Sequence, residues 1–184
     1  MPNWCQNILE VYGDKEKRDE FIKQCNVHHI VWGEPDKRGD LLEFGFNAIV
    51  NPPRNIIKAG YNQKGYDWCI TNWGTKWQPD HLGTYENEEE NKTVIDMWTA
   101  WSPPEPFVDK TSQKYPELTF KLLYYEGGGC FAGITMYEEG MITGSKEEEE
   151  FIKHFGKKYM NLEFEEDELE HEQKLMEEEG ITIE

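Results

Sequence analysis

Residues Trp4 to Tyr12 constrain this chain more than any other stretch. Cys5, Asn7, Leu9 and Val11 alternate with Trp4, Gln6, Ile8, Glu10 and Tyr12, a period of two that suits a first strand. Gly13 ends the pattern. Asp14 can then cap a helix whose apolar positions Phe21, Ile22 and Cys25 share one stripe, with Asn26 as its stop. The chain therefore opens as strand, then helix.

Residues 27–40, with Gly33, Pro35 and Gly39, read as a loop, and Leu42, Phe44, Phe46 and Ala48 alternate as a second strand that Asn51-Pro52-Pro53 stops. Arg54 to Trp73 has mixed periodicity and room for one short helix before Gly74. Trp77 to Tyr85 and Thr93 to Trp101 read as hairpin strands around the polar insert Glu86 to Asn91. Prolines 103, 104 and 106 fix a turn. Phe107, Val108, Thr111 and Tyr115 then share a helical face that Pro116 ends.

Leu118 to Tyr125 and Cys130 to Tyr137 form a further hairpin around Gly127 to Gly129, which read as a mobile tip, and Glu139-Gly140 turns into Met141 to Thr143. Ser145 with Glu148 reads as a capping box before a helix striped by Phe151, Ile152, Phe155 and Tyr159. Glu163 to Glu179 is a marginal exposed helix or a disordered acidic tail, with Ile181 and Ile183 pinning its end or fraying. This order is α+β. The simplest plan is a ferredoxin-like βαββαβ antiparallel sheet with helices on one face, an extra hairpin and C-terminal acidic helices. It divides into a domain with insertions over 1–145 and an acidic helical extension over 146–184.

Composition narrows the function classes. Of 184 residues 14% are aromatic, so a folded core is expected although only 37% are hydrophobic. The net charge of −18 is uneven: residues 1–125 carry 19 acids and 14 bases, residues 126–184 carry 18 acids and 5 bases. Such a chain repels phosphate backbones, which argues against direct nucleic-acid binding. No leader-like or membrane-spanning run occurs, so the expected location is cytoplasmic, in a bacterial host. Cys5, Cys25, Cys69 and Cys130 are scattered and read as reduced thiols.

The opening Met1-Pro2-Asn3-Trp4-Cys5 with Asn7, the block Asn72-Trp73-Gly74-Thr75-Lys76-Trp77, the block Thr99-Ala100-Trp101-Ser102-Pro103-Pro104, and Tyr125-Glu126 before a glycine turn together resemble the YubB family. That family is carried by phages and plasmids and is assigned a ferredoxin-like domain of unknown function. The resemblance covers residues 1–145 and implies an accessory protein of a mobile element; with the clustered aromatics it leads to the expectation of a binding protein acting on host defence or replication. It supplies no reaction.

If the tryptophan blocks meet, Lys76 offers a cation, Asn72 and Thr75 offer polar groups, and Trp73, Trp77, Trp98 and Trp101 offer flat walls. These parts suit a small planar anionic, nucleotide-like ligand. The alternative is that the same rings are simply core. A host protein is the other expected partner: Glu165, Glu166, Asp167, Glu168 and Glu170 on a helix would imitate DNA phosphates toward a basic groove. His28 and His29 near Cys25 make too small a set for a metal, and no cofactor is implied. The thiols sit in apolar patterns that favour inert cysteine. For an enzyme, Glu126 beside the glycines is the candidate acid.

Overall fold

A computed structural model describes residues 3–182; Met1, Pro2 and Ile183, which the sequence patterns touched on, lie outside the described residues. The alternating stretch is strand β1, Trp4–Tyr12, and its odd residues Cys5, Leu9 and Val11 are fully buried. Asp14 caps helix α1, Lys15–Cys25, accepting hydrogen bonds from the Glu16 and Lys17 amides. Phe21 on α1 meets Phe44, Tyr115 and Phe120 edge to face, which seats the helix on the sheet.

The next segment departs from the expected loop and strand. Residues 27–42 form a separate hairpin, β2 (Val27–Ile30) with β3 (Arg38–Leu42). Phe44 and Phe46 leave the strand, the latter in a 3₁₀ turn, Phe46–Ala48, and both are buried. Tertiary bonds override the period-two pattern here. The Gln78 carboxamide accepts from the Phe46 amide at 2.7 Å and donates to Asn47 Oδ1 at 2.7 Å, while the Gly45 amide donates to the Cys25 carbonyl. Both rings thereby turn inward. Where one short helix was expected, the chain forms α2 (Arg54–Ala59), a π-turn (Tyr61–Gly65) and α3 (Tyr66–Trp73).

Strands β4 (Asp80–Asn87) and β5 (Lys92–Ala100), helix α4 (Glu105–Lys114), and strands β6 (Thr119–Glu126), β7 (Phe131–Glu138) and β8 (Met141–Glu148) follow. The six-stranded sheet has the order β4-β5-β1-β6-β7-β8, and every neighbouring pair is antiparallel. β1, α1, β4, β5, α4 and β6 supply the ferredoxin-like βαββαβ core. The β2–β3 hairpin and α2–α3 are inserted before β4, and β7–β8 extend the far edge.

The helix after the sheet begins later than its sequence signal. Ser145 lies in β8 opposite Thr135, and Glu148 instead accepts from the Glu150 and Phe151 amides at 3.0 Å. Helix α5, Ile152–Met160, packs Ile152, Phe155 and Met160 against Leu123, Tyr125 and Ala132. These residues belong to the sheet face opposite the one that α1 and α4 cover. Helix α6, Glu166–Glu179, is formed: Glu165 and Glu168 make its capping box, and buried Glu172 accepts from the Lys153 and His154 amides at the start of α5. One internal carboxylate thus anchors the acidic helix to the body.

Candidate functional site

The two tryptophan blocks do meet, through backbone bonds more than through rings. Trp73 ends α3, and Gly74 turns the chain at φ +83°; a Cβ there would lie 2.5 Å from Pro106 Cδ and 2.9 Å from the Pro103 carbonyl oxygen. Thr75 is then laid against the end of β5. Its hydroxyl donates to the Ala100 carbonyl and accepts from the Ala100 amide, both at 3.0 Å. The Ser102 hydroxyl donates to the Gly74 carbonyl at 2.5 Å, and Thr99 Oγ1 donates to the Ser102 carbonyl at 2.7 Å.

The opening block joins the same knot. Asn7 Nδ2 donates to Thr99 Oγ1 at 2.9 Å and to the Cys5 carbonyl at 2.8 Å, and the Trp101 amide donates to the Asn3 carbonyl at 3.0 Å. Trp101 is held there at φ +74°, a left-handed conformation that is an outlier for a bulky residue. Its side chain is 50% exposed. The Lys76 ammonium sits 2.8 Å from the Trp101 ring centroid and 5.6 Å from that of Trp77, which is also on the surface. Tyr61 fixes the Lys76 backbone by donating to its carbonyl at 2.9 Å.

The structure divides the seven residues. Lys76, Trp77 and Trp101 form one outward-facing group. Trp73 is buried against Phe46 and Trp68, and its indole nitrogen donates to the Val50 carbonyl at 2.8 Å. Thr75 is fully buried. Asn72 Nδ2 donates to the Trp68 carbonyl and its Oδ1 accepts from Lys110, whose pKa burial pushes down. Trp98 lies on the other side of the sheet, with its ring centroid 6.2 Å from that of Trp4. The strand period is the reason: Trp98 and Thr99 must point to opposite faces.

Glu126 is buried, and its two carboxylate oxygens accept the Gly128 and Gly129 amides. The glycine tip, expected to be mobile, is therefore wound around this side chain. A Cβ on Gly128 would come within 2.8 Å of Asn3 Cγ. Both oxygens are thus held by backbone inside the turn.

Burial pushes the thiols of Cys5 and Cys25 up, and that of Cys69 up to about 12, so they are inert at neutral pH; Cys130 is exposed. Among the described residues no group of three or more His, Cys, Asp or Glu is arranged to hold a metal. No described helix is long and apolar enough to cross a membrane. Glu165, Glu166, Asp167 and Glu168 are exposed and line an open hollow of about 750 Å³ with Glu163 and Phe164, and Glu170 is exposed further along α6.

Two features escaped the sequence patterns. Arg18, on what reads as a polar helix flank, is buried; its guanidinium donates to Thr93 Oγ1, Asn91 and Glu86, at 3.0 to 3.1 Å, and to the Gly13 carbonyl. The second is the sheet's far face, where Trp4, Ile8 and Trp98 sit together. The even positions of β1 carried that signal, a mixture of apolar and polar residues that suits a half-covered surface.

A family model described as the ferredoxin-like domain in Api92-like protein matches residues 61–178. The match runs from the π-turn through α3, strands β4 to β8 with α4, and α5 into α6, and leaves β1 and α1 outside it. The crystal structure of the protein api92 from Yersinia pseudotuberculosis is similar, with a TM-score of 0.64 over 80% of this chain and 98% of that chain at 10% sequence identity. At that identity the likeness speaks for the fold alone. A search of curated proteins gives no match.

Proposed function

The chain belongs to the family of ferredoxin-like domains in Api92-like proteins, and on that footing we propose that it is a non-catalytic binding protein. In this proposal it is an accessory protein of a phage or plasmid, akin to the YubB proteins, acting in the bacterial cytosol. Its ligand is small, planar and anionic, of nucleotide type, and is met by Lys76, Trp77 and Trp101. Asn72, Trp73 and Thr75 hold that surface in place from behind.

The observation that carries this is the presentation of Trp101. A non-glycine residue in so sparse a region costs on the order of 1–3 kcal/mol, and such strain persists only where the surroundings over-determine it. Here Asn3, Thr75, Thr99 and Ser102 do so, yet the indole they fix is half in water and adds little to the core. Lys76 lies over one face of that ring, and among the described residues no carboxylate lies within ion-pair distance of its ammonium. A flat ring with an adjacent unneutralised cation suits a base and its phosphate. Stacking contributes about 1–3 kcal/mol per base.

The test is titration of nucleoside mono- and diphosphates while following indole fluorescence. A saturating change that disappears in Trp101→Ala and weakens about tenfold or more in Lys76→Ala is expected, with the circular dichroism of both variants unchanged. Absence of any response up to about 1 mM nucleotide refutes the ligand site.

A second reading has its own support: α6 is capped and presents Glu165, Glu166, Asp167, Glu168 and Glu170 to solvent. An acidic DNA-mimic inhibitor of a host nucleic-acid enzyme would use this row. Its binding should weaken with salt and fall in Glu166→Gln/Asp167→Asn/Glu170→Gln, which leaves the cap and Glu172 intact; partner binding unaffected by both changes removes it.

A further inference from the structure

The sheet face that α5 covers is only half covered. α5 lies over β6 and β7 and its cluster reaches Ile8 on β1, whereas Leu82 and Tyr85 on β4 stay exposed. The register puts Trp4, Ile8, Tyr85 and Trp98 on this face. Leu82, at a bulge in β4, joins Trp98 in lining it. Leu82 is 54% and Tyr85 51% exposed, unusual for an apolar sheet face. Between this surface and the end of α5 runs a groove of about 280 Å³ lined by Ile8, Leu82, Asp96 and Trp98 of the sheet and by Met160 and Leu162.

We propose that this groove docks an amphipathic, basic helix of a partner protein, lying beside α5. The site is separate from Lys76, Trp77 and Trp101 and does not rest on their role.

Two observations select this occupant. The first is that the same face already accepts a helix by the same means. α5 inserts Ile152, Phe155 and Met160 between side chains of β6 and β7, and a second helix alongside would complete the layer that α5 begins. From Trp98 to Val94, opposite Tyr85, the strand advances roughly 13 Å, about two and a half helical turns, which allows three anchors at i, i+3 or i+4, and i+7.

The second is charge. Asp96 lies in the groove, Asp80 is paired with Trp98 on the same face, and Glu163 to Glu168 follow directly on Leu162. The lysines of the face are already matched: Lys92 with Glu10 at 2.5 Å and Glu90 at 2.6 Å, and Lys121 with Glu10 at 3.1 Å. Acids thus predominate along this rim, with Lys157 and Lys158 at the end of α5 as the nearby exposed bases. A phosphate backbone is repelled there, and burial holds the Asp96 carboxyl above its usual range, against the opposing influence of His81.

The probe is a synthetic 18-residue helix of leucine and lysine with leucines at i, i+3, i+4 and i+7, compared with the same peptide carrying glutamate for lysine. Binding to the full chain is read by indole fluorescence and by calorimetry. The lysine peptide should bind, the glutamate peptide should not, and Leu82→Ser/Tyr85→Ser should weaken binding at least about tenfold. Both positions are exposed, so the fold tolerates the change. Glu178→Gln/Glu179→Gln at the far end of α6, outside this rim, should change binding less than about twofold, which separates groove docking from general attraction to an acidic protein. Equal binding of the two peptides, or affinity unchanged in the double serine variant, overturns the proposal. So does binding of a thymidine oligonucleotide, or a concentration-dependent dimer, that the same double variant abolishes.

Discussion

Gly74→Ala isolates the clamp that holds the two tryptophan blocks together. At φ +83° an L-residue carries a backbone penalty of about 1–2 kcal/mol. The added methyl also meets Pro106 Cδ at 2.5 Å and the Pro103 oxygen at 2.9 Å, a ring and a carbonyl that cannot swing aside as a flexible side chain would. Overpacking of that kind costs about 1–3 kcal/mol. Lower entropy of the unfolded chain returns about 0.4–1 kcal/mol. The net expectation is a loss of about 2–4 kcal/mol. Gly33→Ala is the control, because its φ of +90° imposes a comparable penalty while nothing lies within 4 Å of the new methyl. It should lose about 1 kcal/mol or less. Urea unfolding separates the two, since with a slope of about 2 kcal/mol/M the first shifts the midpoint by about 1–2 M and the second by about 0.5 M or less. Should the two variants agree within about 0.5 kcal/mol, the limit of such comparisons, residues 74–77 are not clamped against 99–106, and the presentation of Trp101 loses its support.

Arg18→Met keeps the aliphatic stem but leaves Glu86, Thr93 and the carbonyls of Gly13 and Asn91 without their donor, and should destabilise by about 3–5 kcal/mol in urea unfolding; a loss below about 1 kcal/mol would show that water replaces the guanidinium. Burial raises the Glu10 pKa, but hydrogen bonds from Lys92 and Tyr12 and the Lys121 ammonium outweigh it, so the net shift is below the usual 4.5. A depressed folded pKa gives stability that is present above the unfolded value and lost as pH falls through the folded one. The stability gap between wild type and Glu10→Gln should therefore narrow below about pH 4.5, and a gap that stays constant down to pH 3 contradicts it. Thiol titration with a disulfide reagent should find Cys130 reactive in the native protein and Cys5, Cys25 and Cys69 only after denaturation; early reaction of a second thiol would mean that the core opens.

The local patterns were strong where one physical rule acts alone. β1 and α1 follow from alternation and from Asp14 as cap, and α4 from its apolar face and flanking prolines. These elements, in the order strand, helix, hairpin, helix, strand, were enough to specify a ferredoxin-like sheet. The acidic helix was legible as composition, and the capping pair Glu165 and Glu168 settles it as helix rather than tail.

Where long-range partners compete, the local pattern misleads. Phe44 and Phe46 alternate like a strand but are drawn into the core by Gln78, 32 residues beyond Phe46. Ser145 and Glu148 have capping-box spacing, yet β7 captures Ser145 into the sheet. The tryptophan blocks were visible as a concentration of rings, but a sequence does not say which side of a sheet each ring faces. That depends on register: Thr99 turns inward to Asn7, which sends its neighbour Trp98 to the far face, and the left-handed turn at Trp101 brings the next indole out beside Lys76. Residue type and spacing set the elements, because caps and periodicity act within a few residues of chain. Strand pairing, burial of Glu126 and Arg18, and the uncovered half of the second sheet face arise from contacts far apart in sequence, and only the assembled fold decides them.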